Sequence, residues 1–340
     1  SFYLKINNMK KILVTGGAGF IGAHITQKLI NLGYKVLVVD NLSTVGGIPY
    51  VNPKCKFIKG DITNATVIKK IENWRPNIIF HLAAQSGGES AYDNPKIDYL
   101  SNGYGTYMIA ELAKKLKVKQ LIYSSSVAVY GSKINEEINE KSSTNPDSIY
   151  GVSKFTGEMF IKQVLKKTKV KTVILRVFNT YGPGENLNFL KKGMISIYSY
   201  YLWRNKPIIV KGSLNRFRNF QYIDDVANIF VQTLRNKNLK KNEIINLTTG
   251  RITRIKDLLK ILILENSKKK VKKSKIIIRK NTKGDSFGWN ASNKYFKKIF
   301  PKFQFISLKD GIHKYFEWIN KIPLKNDLKG YHPLDKKLRK

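Results

Sequence analysis

The chain has 340 residues, 42% of them hydrophobic, a formal net charge of +39 and one cysteine, Cys55. It is long enough to bury a large core and exceeds the usual single-domain size, while a lone thiol excludes an internal disulfide or a Cys-rich metal site and suits a reducing cytoplasm. No apolar run reaches bilayer length and the N-terminus lacks a secretory pattern, so a cytoplasmic protein with no membrane partner is expected.

Residues 1–8 precede Met9-Lys10-Lys11 and read as a terminal extension. The first strand, 11–15, runs into Thr15-Gly16-Gly17-Ala18-Gly19-Phe20-Ile21-Gly22 and then a helical stretch from Ala23 to Leu32. A strand, a glycine-rich turn and a helix N-terminus form a diphosphate cradle: glycines permit the tight turn and close approach of a ligand to main-chain N–H groups, and the helix dipole favours the anion. Gly17, Gly19 and Gly22 fit G-x-G-x-x-G; Gly16, Gly19 and Gly22 fit the G-x-x-G-x-x-G variant.

A second strand, 35–40, ends in Asp40, 18 residues after Gly22. A carboxylate there accepts hydrogen bonds from both adenosine ribose hydroxyls and repels a 2′-phosphate, which selects NAD over NADP; Asn41-Leu42-Ser43-Thr44 supplies no arginine to reverse that. Strands follow at 56–59, leading into Gly60-Asp61-Ile62, and at 78–82, leading into His81-Leu82-Ala83-Ala84-Gln85. A fifth, 119–124, runs into Ser124-Ser125-Ser126 at the strand end where open α/β sheets place ligands; local turn bonding is the better reading of Ser124, a bridge to substrate that of Ser126. A sixth is expected at 171–177. Helices between successive strands imply a doubly wound parallel α/β sheet of the Rossmann type.

Tyr150 and Lys154 lie four apart in a helical stretch ending near Lys167, which puts phenol and ammonium on one face. A neighbouring ammonium lowers a phenol's pKa, and moving it about three units from its ordinary value near 10 takes roughly 4 kcal/mol. Beyond Asn179 the rhythm breaks into helices near 190–204, 224–236 and 255–265 and a strand near 243–247. The expected organisation is a dinucleotide-binding domain over 9–178, completed by about 219–250. A smaller interleaved substrate lobe takes 179–218 and 251–322, with terminal extensions at 1–8 and 323–340. Residues 267–283 hold eight lysines and Arg279 without an aromatic side chain, and read as a solvated basic loop and edge strand rather than a dedicated nucleic-acid site. His24, His81, His313 and His332 lack metal-ligand spacing.

Together these segments resemble the extended short-chain dehydrogenase/reductases, specifically the NAD-dependent nucleotide-sugar epimerases and dehydratases, over about residues 9–320. Asn102-Gly103-Tyr104-Gly105-Thr106, Arg176 to Gly184 and Arg218 to Val226 share in the likeness. The resemblance implies NAD as cofactor, with Asp61 and Ile62 at adenine and Ala83, Ala84, Gln85, Asn102 and Ser124 along the cofactor. Ser126, Tyr150 and Lys154 become the catalytic set, and Asn179, Arg218 and Asp285 bind the substrate, with Asn179 and Arg218 on its diphosphate. It also implies a homodimer built on helices near 98–116 and 150–167.

Dehydratases of this type place an Asp-Glu pair after the catalytic hydroxyl residue; here Val127 and Ala128 stand there and cannot transfer a proton. The expected activity is therefore that of a UDP-hexose 4-epimerase, with Tyr150 as phenolate taking the 4-hydroxyl proton, a transient 4-keto sugar, and re-reduction from the opposite face. A nucleotide-sugar reductase or dehydrogenase is the alternative enzyme, and an NAD-binding sensor or nucleic-acid-binding protein on the same fold the alternative of another class. Three departures stand out: Asn219 occurs where Asp is common, Glu89 where a basic residue is frequent, and Thr282 where many 4-epimerases hold the diphosphate with a second arginine, leaving Lys280 or Lys283 as stand-ins.

Overall fold

The computed structural model describes residues 10–43, 46–267, 274–281, 285–324, 328 and 330–335, with the backbone alone at 133–135. The expectations for residues 1–8, for Lys283 and for much of the basic segment and the C-terminal tail lie outside the described residues.

Seven parallel strands form the central sheet: β1 (Lys11–Thr15), β2 (Lys35–Asp40), β3 (Lys56–Lys59), β4 (Ile78–His81), β5 (Gln120–Ser126), β6 (Lys171–Val177) and β7 (Asn242–Leu247). Their order is β3-β2-β1-β4-β5-β6-β7, so chain direction across the sheet reverses between β1 and β4. Ligands of open α/β sheets bind beside such a reversal. The strands are runs of β-branched residues buried on both faces, as parallel sheets require. In β1, Ile12 and Val14 enter one core and Leu13 the other, all three fully buried.

The first face carries α1 (Phe20–Asn31) and α6 (Ile223–Gln232), through Ile25 and Leu29 and through Val226 and Phe230. The opposite face carries α2 (Ala65–Trp74), α3 (Gly105–Lys115) and α4 (Ile149–Leu165), through Ile71, Ile109 and Ile161. Asn64 caps α2 by accepting from Thr66 N at 2.8 Å, and Ser148 caps α4 by accepting from Gly151 N at 3.1 Å. The cap of α1 is Gly19, which has no side chain to satisfy the first N–H groups, so that terminus stays open to a ligand.

A separate hydrophobic cluster joins α5 (Met194–Trp203), α7 (Ile255–Ser267) and α8 (Leu308–Ile319) through Ile195, Leu202, Leu258, Leu262, Ile312 and Phe316. Strand Ile208–Lys211 pairs in parallel with Ile276–Arg279, the edge strand expected in the basic segment. The helix expected over 98–116 is instead a turn of α-helix, Pro95–Asp98, a π-helical turn, Tyr99–Tyr104, and then α3. The wider turn brings Asn102 inward, the use to which single π-turns are frequently put.

Candidate dinucleotide and sugar site

The carboxyl ends of β1, β2, β4 and β5 open into a cavity of about 880 Å³, with α5 and residues 189–194 as its far wall. Three glycines of the β1–α1 turn act for different reasons. Gly16 has φ 68°, and a Cβ there would lie 2.6 Å from Ala83 N. A Cβ on Gly22 would lie 2.1 Å from Gly16 O, so it lets helix and turn pack. A Cβ on Gly19 would meet only Gly16 O, at 3.4 Å, which leaves the approach to the turn clear.

Asp40 accepts from Ala18 N at 3.0 Å and from Leu42 N at 2.8 Å. Burial raises its pKa against these backbone bonds, and its carboxylate faces the cavity. Asn41 donates to Asp61 at 2.7 Å and accepts from Ser43 N and Oγ at 3.0 and 2.7 Å. Burial pushes the Asp61 carboxyl up, but hydrogen bonds from Thr63 and Asn41 outweigh it and the net shift is downward. Phe20, Ile21, Ile62, Ala83, Ala84, Gln85 and Ser124 line the same cavity. Open turn, uncapped helix and inward carboxylate together fit a dinucleotide's diphosphate and ribose.

His81 is fully buried, its Nδ1 2.7 Å from Thr15 Oγ1 and its Nε2 2.9 Å from Thr106 Oγ1. Thr106 spends its proton on Asn102 O at 2.6 Å, so it accepts from Nε2–H, and Thr15 donates to Nδ1. Burial, with the Lys154 charge adding to it, pushes the His81 pKa down to about 3. The residue is a neutral brace and not a ligand.

Asn102 Nδ2 donates to Gln85 O at 3.1 Å, Ser153 Oγ at 2.9 Å and Asp98 Oδ1 at 3.1 Å, leaving its own Oδ1 without a partner. Asp98, fully buried, also accepts from Ser153 at 3.2 Å and keeps Oδ2 unpartnered. Burial pushes its carboxyl up to about 6. Sequence reading missed Asp98; its position four residues before Asn102, on one helical face, was the available signal.

On α4, Tyr150, Lys154 and Glu158 follow one another at intervals of four. Tyr150 and Lys154 line the cavity together with Ser126, and Tyr150 and Ser126 share a hydrogen bond. Ser126 also accepts from Ala128 N at 3.2 Å. The expected lowering of the phenol's pKa is not found in the chain alone. Burial raises Tyr150 to about 12, offset in part by Ser126 and reinforced by Asp98, and burial also depresses Lys154 to about 7 against the pull of Glu158 and Asp98. Sequence spacing captured the pairing of phenol and ammonium but not the desolvation that both undergo. The Lys154 ammonium sits 4.4 Å from the centre of the Tyr123 ring.

At the other end of the cavity, Arg218 donates to Asp285 at 2.5 Å and to Ser286 O, Phe287 O and Phe217 O at 2.8, 3.0 and 2.7 Å. Its guanidinium lies 5.2 Å from the Trp289 ring centre. Arg216 grips the second oxygen of Asp285. A second arginine thus shares Asp285 with Arg218 and lies two residues before it in the chain. Lys280 is exposed and is not part of the cavity wall. Asn179 lines the cavity with a buried, unpartnered Oδ1. Asn219 donates to Arg251 O at 3.0 Å and takes no part in holding Arg218. Glu89 faces the cavity and pairs with Lys211 at 3.3 Å.

Contrary to the expected scatter, His24 and His332 come together, with ring centres 5.8 Å apart, while His313 pairs with Glu265 at 2.7 Å. Among the described residues no group of three or more His, Cys, Asp and Glu side chains is placed to hold a metal ion. No helix among them is long and apolar enough to cross a membrane.

Residues 12–248 match the model of the NAD dependent epimerase/dehydratase family. A putative UDP-glucose 4-epimerase of Methanocaldococcus jannaschii is 33% identical over 317 residues, spanning 91% of this chain and 98% of that protein. Human dTDP-D-glucose 4,6-dehydratase is 31% identical over 71% of this chain and 69% of its own length. The crystal structure of Thermotoga maritima UDP-glucose 4-epimerase with UDP-glucose superposes with a TM-score of 0.84 at 29% identity, covering 92% of this chain and 99% of that one. Glycine-rich turn, inward Asp40 and the Ser126, Tyr150 and Lys154 grouping agree with these likenesses, and the chain belongs to the NAD-dependent epimerase/dehydratase family.

Proposed function

We propose that this chain interconverts the C4 epimers of a UDP-linked hexose. The observation that carries the reading is the wall around Ser126: phenol, hydroxyl and ammonium converge there, and the next two residues, Val127 and Ala128, have no proton to give. Loss of a hydroxyl as water needs a proton donor at the leaving oxygen; exchange of hydrogen at C4 needs only one group that takes and returns the hydroxyl proton.

In this reading Gly16, Gly19, Phe20, Ile21 and Gly22 hold the NAD diphosphate, and Asp40, Asn41 and Ser43 its adenosine ribose. Asp61 and Ile62 hold adenine, while Ala83, Ala84, Gln85, Asn102, Ser124, Tyr150 and Lys154 line the remainder. NAD, when bound, takes up the hydrogen leaving sugar C4 and gives it back. Tyr150 removes the 4-hydroxyl proton and later returns it, Ser126 orients the oxygen, and Lys154 supplies positive charge to the phenol. Burial, net of Ser126 and Asp98, holds that phenol at about 12, so Lys154 and the positive ring of the oxidised cofactor must together bring it down. Asn179 and Arg218 grip the nucleotide diphosphate, with Asp285 holding Arg218 at the substrate, leaving the sugar free to turn between the two transfers.

Two coarser features follow. Ile97, Tyr99, Leu100, Tyr104, Val152 and Met159 are exposed apolar residues on the Pro95–Tyr104 segment and α4, which supports a homodimer joined through these helices. Cys55 is the one cysteine of the sequence, which supports a reducing, cytoplasmic setting.

The test is to incubate the protein without added cofactor with UDP-glucose, UDP-galactose and their N-acetyl and uronate relatives, and to resolve stereoisomers by NMR. Conversion that Tyr150→Phe reduces at least about a thousandfold, with NAD still bound, supports the assignment. Stoichiometric consumption of added NAD(P)H would instead make the chain a reductase.

A further inference from the structure

Three lysines cross from the far wall of the cavity to the segment that follows β4. Lys191 donates to Asp93 at 2.6 Å, and Lys211 pairs with Glu89 at 3.3 Å. Lys192, next to Lys191 in the chain, donates to a neutral hydroxyl, Ser86 Oγ, at 2.6 Å. Among the described residues no carboxylate lies within ion-pair distance of Lys192, although it lines the cavity. The carboxyl group that acts on it from further off is Glu185, which accepts from Gly182 N at 3.1 Å and is pushed up to about 7 by burial. Its positive charge is thus weakly compensated.

The surroundings of Lys192 identify what would compensate it. A methyl group built on Gly46 would lie 3.3 Å from Lys192 Cδ, and one on Gly87 3.7 Å from its Cβ. One on Gly47 would lie 3.0 Å from the backbone N of Phe20, the first residue of α1. Ser86 follows Ala83 by three residues, and Ala83 N abuts the Cα side of Gly16. The Lys192 side chain therefore packs against Gly46 and Gly87, Gly47 beside it packs against Phe20 at the uncapped terminus of α1, and the ammonium and that terminus line one cavity. Both attract the same charge: a helix N-terminus and an ammonium without a carboxylate partner make complementary walls for a diphosphate.

We propose that Lys192 is a cofactor-binding residue, a strap carried by the segment before α5 that closes on the dinucleotide diphosphate from the side opposite the glycine-rich turn. Lys191 fastens the strap to the Gly88–Asp93 helix through Asp93, Lys211 holds Glu89 of the same helix from the neighbouring strand, and Lys192 supplies the charge that meets the phosphates. The cofactor becomes a resident group that leaves only when the strap lifts. This rests on family membership and not on the identity of the sugar.

The experiment loads the protein with NAD, removes free nucleotide and follows release by stopped dilution, for wild type, Lys192→Met and Lys192→Arg. The Met variant should release NAD about 10- to 100-fold faster, the Arg variant within a few-fold of wild type, and the gap should narrow as salt is raised. ADP-ribose, which keeps the diphosphate, should lose affinity in the Met variant to the same degree, whereas adenosine should not. Unchanged melting temperature of the nucleotide-free Met variant keeps the result from being a folding defect. Equal NAD release from wild type and Lys192→Met overturns the proposal, as does a loss confined to UDP-sugars, which would place the ammonium on the substrate. Epimerase turnover is not read in any arm, so failure of the sugar assignment leaves this result intact.

Discussion

Arg218 and Asp285 meet at 2.5 Å in the wall of the cavity, and Arg216 takes the other oxygen of the same carboxylate. One anion between two guanidinium groups leaves a net positive charge, and Asp285 fixes both planes at once. The terminal N–H groups of Arg218 are spent on Asp285 and three backbone carbonyls, so the guanidinium is held as a fixed, planar charge, which a lysine's mobile point charge does not reproduce. Arg218→Lys is expected to raise KM for a UDP-sugar about 10- to 100-fold with a smaller change in kcat and no change in NAD content. Steady-state kinetics on the purified variant check this; an unaltered KM would remove Arg218 from the diphosphate.

Sequence reading captured what depends on local pattern. The strand runs, the glycine turn, Asp40 and the four-residue spacing of Tyr150 and Lys154 are each set by period and position, and the sheet arranges them as expected. It missed what depends on which side chain turns inward. Asp98 is fully buried just before the π-turn, and Arg216 reaches Asp285 from a segment 69 residues earlier in the chain, which no local pattern records. The pKa of Tyr150 went the other way because desolvation is a property of the assembled core, invisible to spacing.

Asp98 bears on the protonation of Lys154. Burial depresses Lys154 to about 7, and the charges of Glu158 and Asp98 are what oppose the fall. A lysine with a lowered folded pKa loses its proton as pH rises through that value, so activity that needs the ammonium declines on the alkaline side. Asp98→Asn preserves shape but removes the charge that forms as pH passes about 6. The alkaline limb of kcat is expected to move to lower pH by up to about one unit, with the wild-type limb recovered in Asp98→Glu if the longer side chain is accommodated. A limb that stays in place in Asp98→Asn, with kcat merely scaled down, would reduce Asp98 to a structural support for Asn102.

Glu158 lies behind the catalytic face, fully buried, accepting from Arg176 Nε at 2.9 Å and Nη2 at 2.7 Å and from Ser125 at 2.6 Å. The Arg176 guanidinium also stacks 4.6 Å from the Tyr130 ring centre. Removing the charge of one partner strands the other in a dry site, which costs about 3–5 kcal/mol. Glu158→Gln should lower the free energy of unfolding by that order in urea, and replacing both members by apolar residues of similar volume should restore much of it. Equal stability of wild type and Glu158→Gln would mean that water reaches Arg176.

The apolar surface of α4 and the segment before α3 gives the last test. Tyr99 is 68% exposed and Met159 49%, and Val152 lies two turns before Met159 on the same helix. Tyr107 and Phe160, at 5.3 Å between ring centres, already join α3 to α4, so the two helices present one face. A contiguous apolar face of this kind is a liability for a monomer and an asset for a pair related by a two-fold axis, where each residue meets its own counterpart region. Met159→Glu with Tyr99→Glu would set like charges against each other across that axis. Wild type should run at twice the chain mass by light scattering and the double variant at the single mass, with the fold retained by circular dichroism. Tyr150 and Lys154, on α4, line the cavity instead, so NAD should remain bound in the monomer. Wild type at the single mass would leave these residues without a partner of their own kind.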